Sequence, residues 1–584
     1  MRKYTADFET TTNIDKTFVW AWGVCEIGNP ENYIYGNKIS DFILWCYRQK
    51  NAKLYFHNLK FDAEFIIYYL LKNGYEYVKS SNEKKDKSFT TLITSDGLFY
   101  SMEIYFKVNG YKVTKVTIYD SLKILNMSVD KVAKSFNLPL RKLEIDYERH
   151  NNLPEASPLS IEEIEYLKND VEIMARALDI MFNKGFTKMT IGSDALSFYK
   201  KLNRKFDDFF PVLSLETDSN LRESYRGGFT YLSPKYKEKE TGKGIVLDVN
   251  SLYPSCMKNE LLPYGEPIFY SGKYEYDKNY PLYIQKITCS FKIKKNKIPT
   301  IQLKNYKFSF LENEYIEDTN GEIFTFALTS VDLELFLKQY DTPYIVYEYG
   351  YKFKGIKGLF NDYINLWTEE KIKAKKDGNA GMYTISKLFL NSLYGKFGTS
   401  PNSRKKFPYL DNDVVKYGLH ELEMRDPVYV PMASFITSYA RKKTILTSQS
   451  IRDYSMKKYG KDYYIYSDTD SIHCLLDVEE IEKGVYKLTE KDKELESLID
   501  IDDYKLGAWK IESRYIKGSY IRQKCYIELG YDDKLNVVVA GLPKKLSHKV
   551  TFENFNNELS IGGKLTFKHT KGGIVLVETT FSIK

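Results

Sequence analysis

The stretch YIYSDTDSIHCLL, residues 464–476, places Asp468 and Asp470 between two runs of strand-forming residues. Tyr464, Ile465 and Tyr466 lead in, and Ile472, Cys474, Leu475 and Leu476 lead out. Aromatic and β-branched residues around a short polar break predict a hairpin with both acids at its tip. Two other Asp-x-Asp triplets, Asp411/Asp413 and Asp500/Asp502, lack such flanks and read as solvated turns. A rigid mount for two carboxylates gains a chemical meaning only if a third acid meets it from elsewhere in the chain.

GKGIVLDVNSLYPSCM supplies one. It predicts a strand over 245–249, with Asp248 near its end, running into a turn closed by Pro254. YTISKLFLNSLYGKFG predicts a helix ending at Gly395, with Lys387, Asn391 and Tyr394 on one face at i, i+4 and i+7. Just upstream, WTEEKIKAKKDGN concentrates Lys371, Lys373, Lys375 and Lys376. By spacing alone an amphipathic surface helix and a solvated lysine face account for these two segments. Beside two strand-borne acids they acquire a sharper reading, nucleotidyl transfer. Hard divalent cations prefer carboxylate oxygens, and they can activate a hydroxyl and neutralise a departing pyrophosphate.

A second acidic set lies near the start. YTADFETTT reads as a strand with Asp7 and Glu9 two apart and therefore on one face. KLYFHNLKFDAEFIIYYLLKNG predicts a strand over 53–57 and a helix over 61–71 closed by Gly74, with Asn58 and Asp62 at the junction. SIEEIEYLKNDVEIMARALDIMF carries a capping box, Ser160 with Glu163. Its stripe of Ile161, Ile164, Leu167, Val171, Met174, Leu178 and Met181 has helical spacing. Tyr166 and Asp170 share the neighbouring face. Singly each acid is an ordinary surface charge. Together, Asp7, Glu9, Asp62 and Asp170 could hold two divalent metals about 4 Å apart for phosphodiester hydrolysis, with Tyr166 orienting the water.

The bulk properties agree with a multidomain enzyme. A chain of 584 residues suggests roughly three to five domains or subdomains, and 43% hydrophobic residues suffice for packed cores. No apolar run is long enough for a membrane span, and MRKYTADFET has no apolar signal region, so the chain reads as soluble and intracellular. The cysteines show no CxxC spacing, which argues against structural zinc and a disulfide framework. The absence of GxxxxGK[ST] argues against a P-loop ATPase. A net charge of +8 permits nucleic-acid binding without demanding it. The 51 Tyr and 34 Phe offer faces for stacking bases, although an AT-rich genome accounts for them equally well.

Taken in order, DFET, NLKFD, YLKND, YRGGF, DVNSLYP, KLFLNSLYG, YSDTDS and RQKCY resemble the protein-primed family B DNA polymerases of small linear-genome phages, the phi-twenty-nine-type enzymes. The resemblance covers essentially the whole chain. It implies an α/β protein: an RNase H-like 3′–5′ exonuclease domain over 1–190, then a right-hand polymerase domain over 191–584. Within the latter it implies a palm (191–259 and 432–530), a first insertion (260–358), fingers (359–398), a second insertion (399–431) and a thumb (531–584). The first insertion would contact a terminal protein, and the second would encircle DNA for processivity and strand displacement.

Roles follow motif by motif, as implications of the resemblance. Asp7, Glu9, Asp62 and Asp170 would bind the exonuclease metals, with Tyr166 and Lys142 assisting and Asn58 and Phe61 holding the single-stranded primer end. Tyr225, Gly227 and Gly228 would contact template, the glycines allowing close backbone approach. Asp248, Asp470 and the Val249 carbonyl would bind the polymerase metals, with Asp468 in support. Tyr253 would exclude the 2′-hydroxyl of ribonucleotides. Lys371 and Lys387 would hold the triphosphate, Asn391 and Tyr394 would form the nascent-pair pocket, and Lys524 and Tyr526 would grip the primer.

The implied cofactor is Mg2+, two ions per active site, with Mn2+ as a substitute. The implied partners are template and primer DNA, dNTPs, a terminal protein and a single-strand DNA-binding protein, for a monomer in the cytoplasm of a bacterial host, away from membranes. One departure is the acidic segment 477–503, longer than in compact relatives and expected as a solvated palm extension. The segment leading into KVTFENF is, conversely, short. A DNA-primed repair polymerase and a non-catalytic DNA-binding scaffold are the alternatives. The insertion at 260–358 argues against the first and the intact acids against the second.

Overall fold

The computed structural model describes residues 1–302 and 315–583. Its N-terminal part is built on an eight-stranded mixed sheet. The central strand Lys3–Thr10 runs antiparallel to Val19–Glu26 and parallel to Asn51–Phe56, which in turn runs parallel to Lys112–Asp120. Helix Leu59–Lys72 covers one face, where Phe8, Phe42, Phe56, Ile66 and Ile67 form a buried cluster. Helix Ile161–Asn183 covers the other. There the Thr5 hydroxyl donates to the Val171 carbonyl at 2.7 Å, and a Cβ on Gly23 would lie 2.8 Å from Leu167. Both halves of the expected Ser160–Glu163 capping box form. The apolar stripe is buried from Leu167 to Met181, but Ile161, in the first turn, is 76% exposed.

A second sheet carries the DTD hairpin. Strand Gly244–Val249 lies between Ser471–Cys474 and Trp509–Arg522, and the sheet continues to Tyr464–Asp468 on one side and Cys525–Gly530 on the other. Leu535–Val539, within the stretch expected as thumb, is the edge strand of this sheet. Behind it stands the long helix Val430–Tyr459, with Asn361–Lys376 and Ala380–Phe397 packed as an antiparallel pair. Two local expectations fail. The helix expected to end at Gly395 continues to Phe397, because the buried Phe397 packs on Phe210 and Phe360. Pro254 does not close a turn but sits in the first turn of helix Leu252–Asn259, where proline needs no amide donor.

The stretches expected as insertions form small sheets of their own that pack against the larger cores. The described residues of 262–356 give a four-stranded antiparallel sheet backed by helix Ser330–Gln339. Residues 402–424 give two short ribbons, one the hairpin Lys406–Asp411/Val414–Leu419. The acidic segment 477–503 is not merely solvated: Val478, Leu488, Leu495 and Ile499 join the central core, and buried Asp492 accepts hydrogen bonds from Tyr454 at 3.0 Å and Tyr459 at 2.6 Å.

Two distant segments meet at helix Leu59–Lys72. The hairpin residue Val415 and the C-terminal residue Ile574 both enter the N-terminal core. Beside them buried Glu64 accepts a hydrogen bond from Tyr417 at 2.8 Å and lies 3.5 Å from His569. Burial pushes the Glu64 carboxyl up to about 8 and the His569 imidazole down. At neutral pH this contact therefore joins two uncharged groups rather than an ion pair.

Candidate active sites

The first acidic set assembles on the N-terminal sheet. Asp7 and Glu9 point to one face of the central strand, Asp62 enters from the first turn of its helix, and Asp170 from the middle of helix Ile161–Asn183. Burial, and then the Asp170 charge, push Asp7 up to about 7. Burial and neighbouring acids likewise lift Glu9 and Asp62 well above the carboxylate range. The Lys142 ammonium pairs with Asp170 and lies 5.2 Å above the Tyr166 ring. Burial opposes its charge, but Asp170 and Asp7 outweigh it and raise Lys142. Among the described residues, Asp62 Oδ1 and Asp170 Oδ1 are buried without a hydrogen-bond partner. Mutually repelling acids with orphaned oxygens are the donor chemistry that a divalent cation satisfies.

Asn58 and Phe61 stand at the rim of this set. Asn58 adopts a left-handed conformation, φ 75°, and its amide donates to Asp120 at 3.0 Å. The Phe61 ring lies tilted against Phe65 at 5.6 Å and against Phe567 of the C-terminal hairpin Ser560–Thr570/Gly573–Ser582 at 6.1 Å. Sequence reasoning missed both Phe567 and Tyr147. The Tyr147 and Tyr166 hydroxyls lie 2.7 Å apart, which joins the exposed Tyr147 to the site. Its only signal was its position shortly after Lys142.

The second set lies on the other sheet. Asp248 and Asp468 both sit opposite Ser471 across their strand pairs, and Asp470 follows Thr469, whose φ of 61° makes the turn. The Val249 amide donates to the Asp470 carbonyl at 2.8 Å, which ties the two acid-bearing strands together. Burial first, then Asp470 and Glu512, push Asp248 up to about 7. Asp470 is raised too, chiefly by burial. Asp468 is engaged differently: the Lys524 ammonium grips both its oxygens, at 2.7 and 2.6 Å. These residues line a cavity of about 660 Å³ with Glu512, His473, Tyr526 and Glu528. Glu512 was missed, although the alternation of WKIES placed it on the same face as Lys510 and opposite buried Trp509 and Ile511. Among the described residues no three acidic, histidine or cysteine side chains form a finished ligand group in either site.

Helix Ala380–Phe397 brings Lys387 within electrostatic reach of Asp248. Lys387 and Asn391 lie on the exposed side of helix Ala380–Phe397. Tyr394, one turn on, stacks on Tyr253 with ring centroids 4.1 Å apart. Burial and the nearby Lys387 and Lys375 lower Lys371, so these cations share one region. The YRGGF loop packs against the turn between the two aspartates. Tyr225 packs against Gly398, and Gly228 lies against Thr469. The loop is fastened by Arg441, which donates to the Arg226 and Gly227 carbonyls at 2.7 and 2.8 Å while paired to Asp332. Arg441 was missed because nothing local marks it within a long buried helix.

A family model for DNA polymerase type B, organellar and viral, matches residues 43–160 and 155–480. The DNA polymerase of Bacillus phage Nf is 43% identical and that of Bacillus phage phi29 41% identical, each over 100% of this chain and 100% and 99% of their own length. The solved structure of phi29 DNA polymerase complexed with primer-template DNA and incoming nucleotide substrates superposes with a TM-score of 0.90 at 41% identity, covering 100% of both chains.

Proposed function

The chain belongs to the type B DNA polymerases of organelles and viruses, among the phi29-type phage enzymes, and from that premise we propose that its two acidic sets are the exonuclease and polymerase centres. Protein-primed replication and proofreading characterise this group, and the enzyme is a DNA polymerase with a 3′–5′ exonuclease. The observation that carries the site assignment is the convergence of Asp248 and Asp470 on one cavity from strands more than two hundred residues apart.

We assign Asp248, Asp470 and the Val249 carbonyl as the polymerase ligand set, completed by substrate phosphates, and Asp7, Glu9, Asp62 and Asp170 as the exonuclease set. When bound, divalent cations, Mg2+ or Mn2+ and two per site, would make hydroxyl or water nucleophilic and neutralise the leaving oxygen. Asp468 holds Lys524 for the primer strand rather than a cation. Tyr253, backed by Tyr394, forms a rigid floor that leaves no room for a 2′-hydroxyl. Lys371 and Lys387 attract the triphosphate, and Asn391 lies beside the nascent pair. In the exonuclease centre the Tyr147–Tyr166 hydroxyl pair orients the water, and Lys142 compensates charge at Asp170.

The unit at 262–356 would receive a terminal protein, and the ribbon at 402–424 would close over DNA. A single-strand DNA-binding protein would attend the displaced strand. No helix among the described residues is long and apolar enough to cross a membrane, and we place the enzyme in the cytoplasm of a bacterial host as a monomer. Labelled dAMP offered with cognate terminal protein and no DNA primer tests the initiation reading. Transfer of label to the protein is expected, and strict dependence on a DNA primer would defeat it.

A further inference from the structure

Buried His473 lies on the acid-bearing strand three residues beyond Asp470, 1% exposed. Its Nδ1 donates to Glu528 Oε1 at 2.6 Å, and Glu528 is 3% exposed. The Tyr520 hydroxyl donates to the same oxygen at 2.6 Å, and Asn536 donates to Oε2 at 3.2 Å. Burial alone would lift the Glu528 carboxyl, but His473 first, then Tyr520 and Asn536, outweigh it and hold the acid below its ordinary range. The His473 ring also meets the Tyr526 ring edge-on, with centroids 4.9 Å apart.

The topology explains the meeting. Strand Trp509–Arg522 pairs with Gly244–Val249 through its first half and with Cys525–Gly530 through its second. Two strands thus separate His473 from Glu528 in the sheet order, and only a strongly coiled sheet brings them into contact. A bare hydrophobic contact tolerates slippage, whereas a buried, fully hydrogen-bonded carboxylate fixes one arrangement.

We infer that the His473–Glu528 pair is a positioning element of the polymerase centre, setting Tyr526 and Lys524 at a fixed distance from Asp470 so that the primer terminus is presented to the reacting phosphate. This rests on the reading of Lys524 and Tyr526 as primer contacts. His473 and Glu528 themselves need touch no reacting atom.

Steady-state primer extension with Glu528→Leu, Glu528→Gln, His473→Asn and Tyr526→Ala tests it, with single-strand degradation measured on the same preparations. Glu528→Leu should raise KM for primer-template roughly tenfold, leave KM for dNTP within about twofold, and leave exonuclease unchanged. Glu528→Gln keeps an acceptor oxygen and should recover most of the loss. Should Glu528→Leu not fold, His473→Asn carries the same expectation. A folded Glu528→Leu or His473→Asn enzyme with wild-type KM for primer-template overturns the inference. So does an equal defect in Glu528→Gln and Glu528→Leu, or a parallel fall of synthesis and exonuclease, which would mark a merely structural role. If Tyr526→Ala raises that KM and Glu528→Leu does not, only the inference falls. If Tyr526→Ala also leaves it unchanged, the primer-contact reading falls with it.

Discussion

Gly228 packs against the turn that carries Asp470, and alanine there should cripple synthesis without reaching the exonuclease. A Cβ at 228 would lie 2.5 Å from Thr469 Oγ1, 2.6 Å from Cγ2 and 2.9 Å from Cβ. Rotating the threonine cannot relieve the contact with its own Cβ. Reaching ordinary contact requires a retreat of roughly 0.5–0.9 Å. The Thr469 turn has little freedom to give it: its amide donates to the Phe229 carbonyl at 2.7 Å, and its carbonyl accepts from the Thr444 hydroxyl at 2.7 Å. Overpacking of this kind costs about 1–3 kcal/mol, and a displacement near 1 Å at a reacting centre costs up to about a hundredfold in rate. Gly228→Ala should therefore lower kcat for primer extension by about 10- to 100-fold, with single-strand degradation intact. Gly227→Ala is the control, since a Cβ there meets nothing within 4 Å. Its effect should fall on DNA affinity alone. Single-turnover extension at saturating DNA and dNTP separates the two. Wild-type kcat in Gly228→Ala, or equal kcat losses in both variants, would refute the steric coupling to the DTD turn.

Two further outcomes follow from local geometry. Tyr253→Val removes the ring stacked on Tyr394 and should admit ribonucleotides; an unchanged ratio of dNTP to rNTP incorporation would count against the sugar gate. Glu64, raised to about 8 chiefly by burial, holds a proton in the folded state that the unfolded chain releases near 4.5. Stability contributed by this group is thus present at low pH and lost as pH rises through that window, by about 1.4 kcal/mol per unit at most. The apparent melting temperature should fall between pH 6 and about 8 in the wild type and less in Glu64→Gln; parallel melting curves would show that the acid is not protonated in the fold.

The hairpin at 464–476, the capped helix after Ser160 and the strand carrying Asp248 were legible because each rests on local periodicity or capping chemistry. The grouping of the acids was legible only through motif order, since no local rule brings Asp62 beside Asp7. Three of the positions missed share one property: their meaning lies in contacts across long sequence separation. Arg441 reaches the YRGGF loop across more than two hundred residues, Phe567 reaches Phe61 across about five hundred, and Glu512 faces Asp248 through a sheet that coils. Pro254 and Gly395 are a different case. Their local signals predict breaks, but the packing of Phe397 against Phe360 and the donor-free first helical turn carry the helices through.

The central claim is that two separate acidic centres perform two separable reactions. Asp470→Ala and Asp7→Ala, each purified to homogeneity and assayed with Mg2+ for primer extension and for degradation of a single-stranded oligonucleotide, test it directly. The account predicts that Asp470→Ala loses extension and keeps degradation, and that Asp7→Ala does the reverse. Extension at the wild-type rate by Asp470→Ala, or loss of both activities in either folded variant, would contradict it.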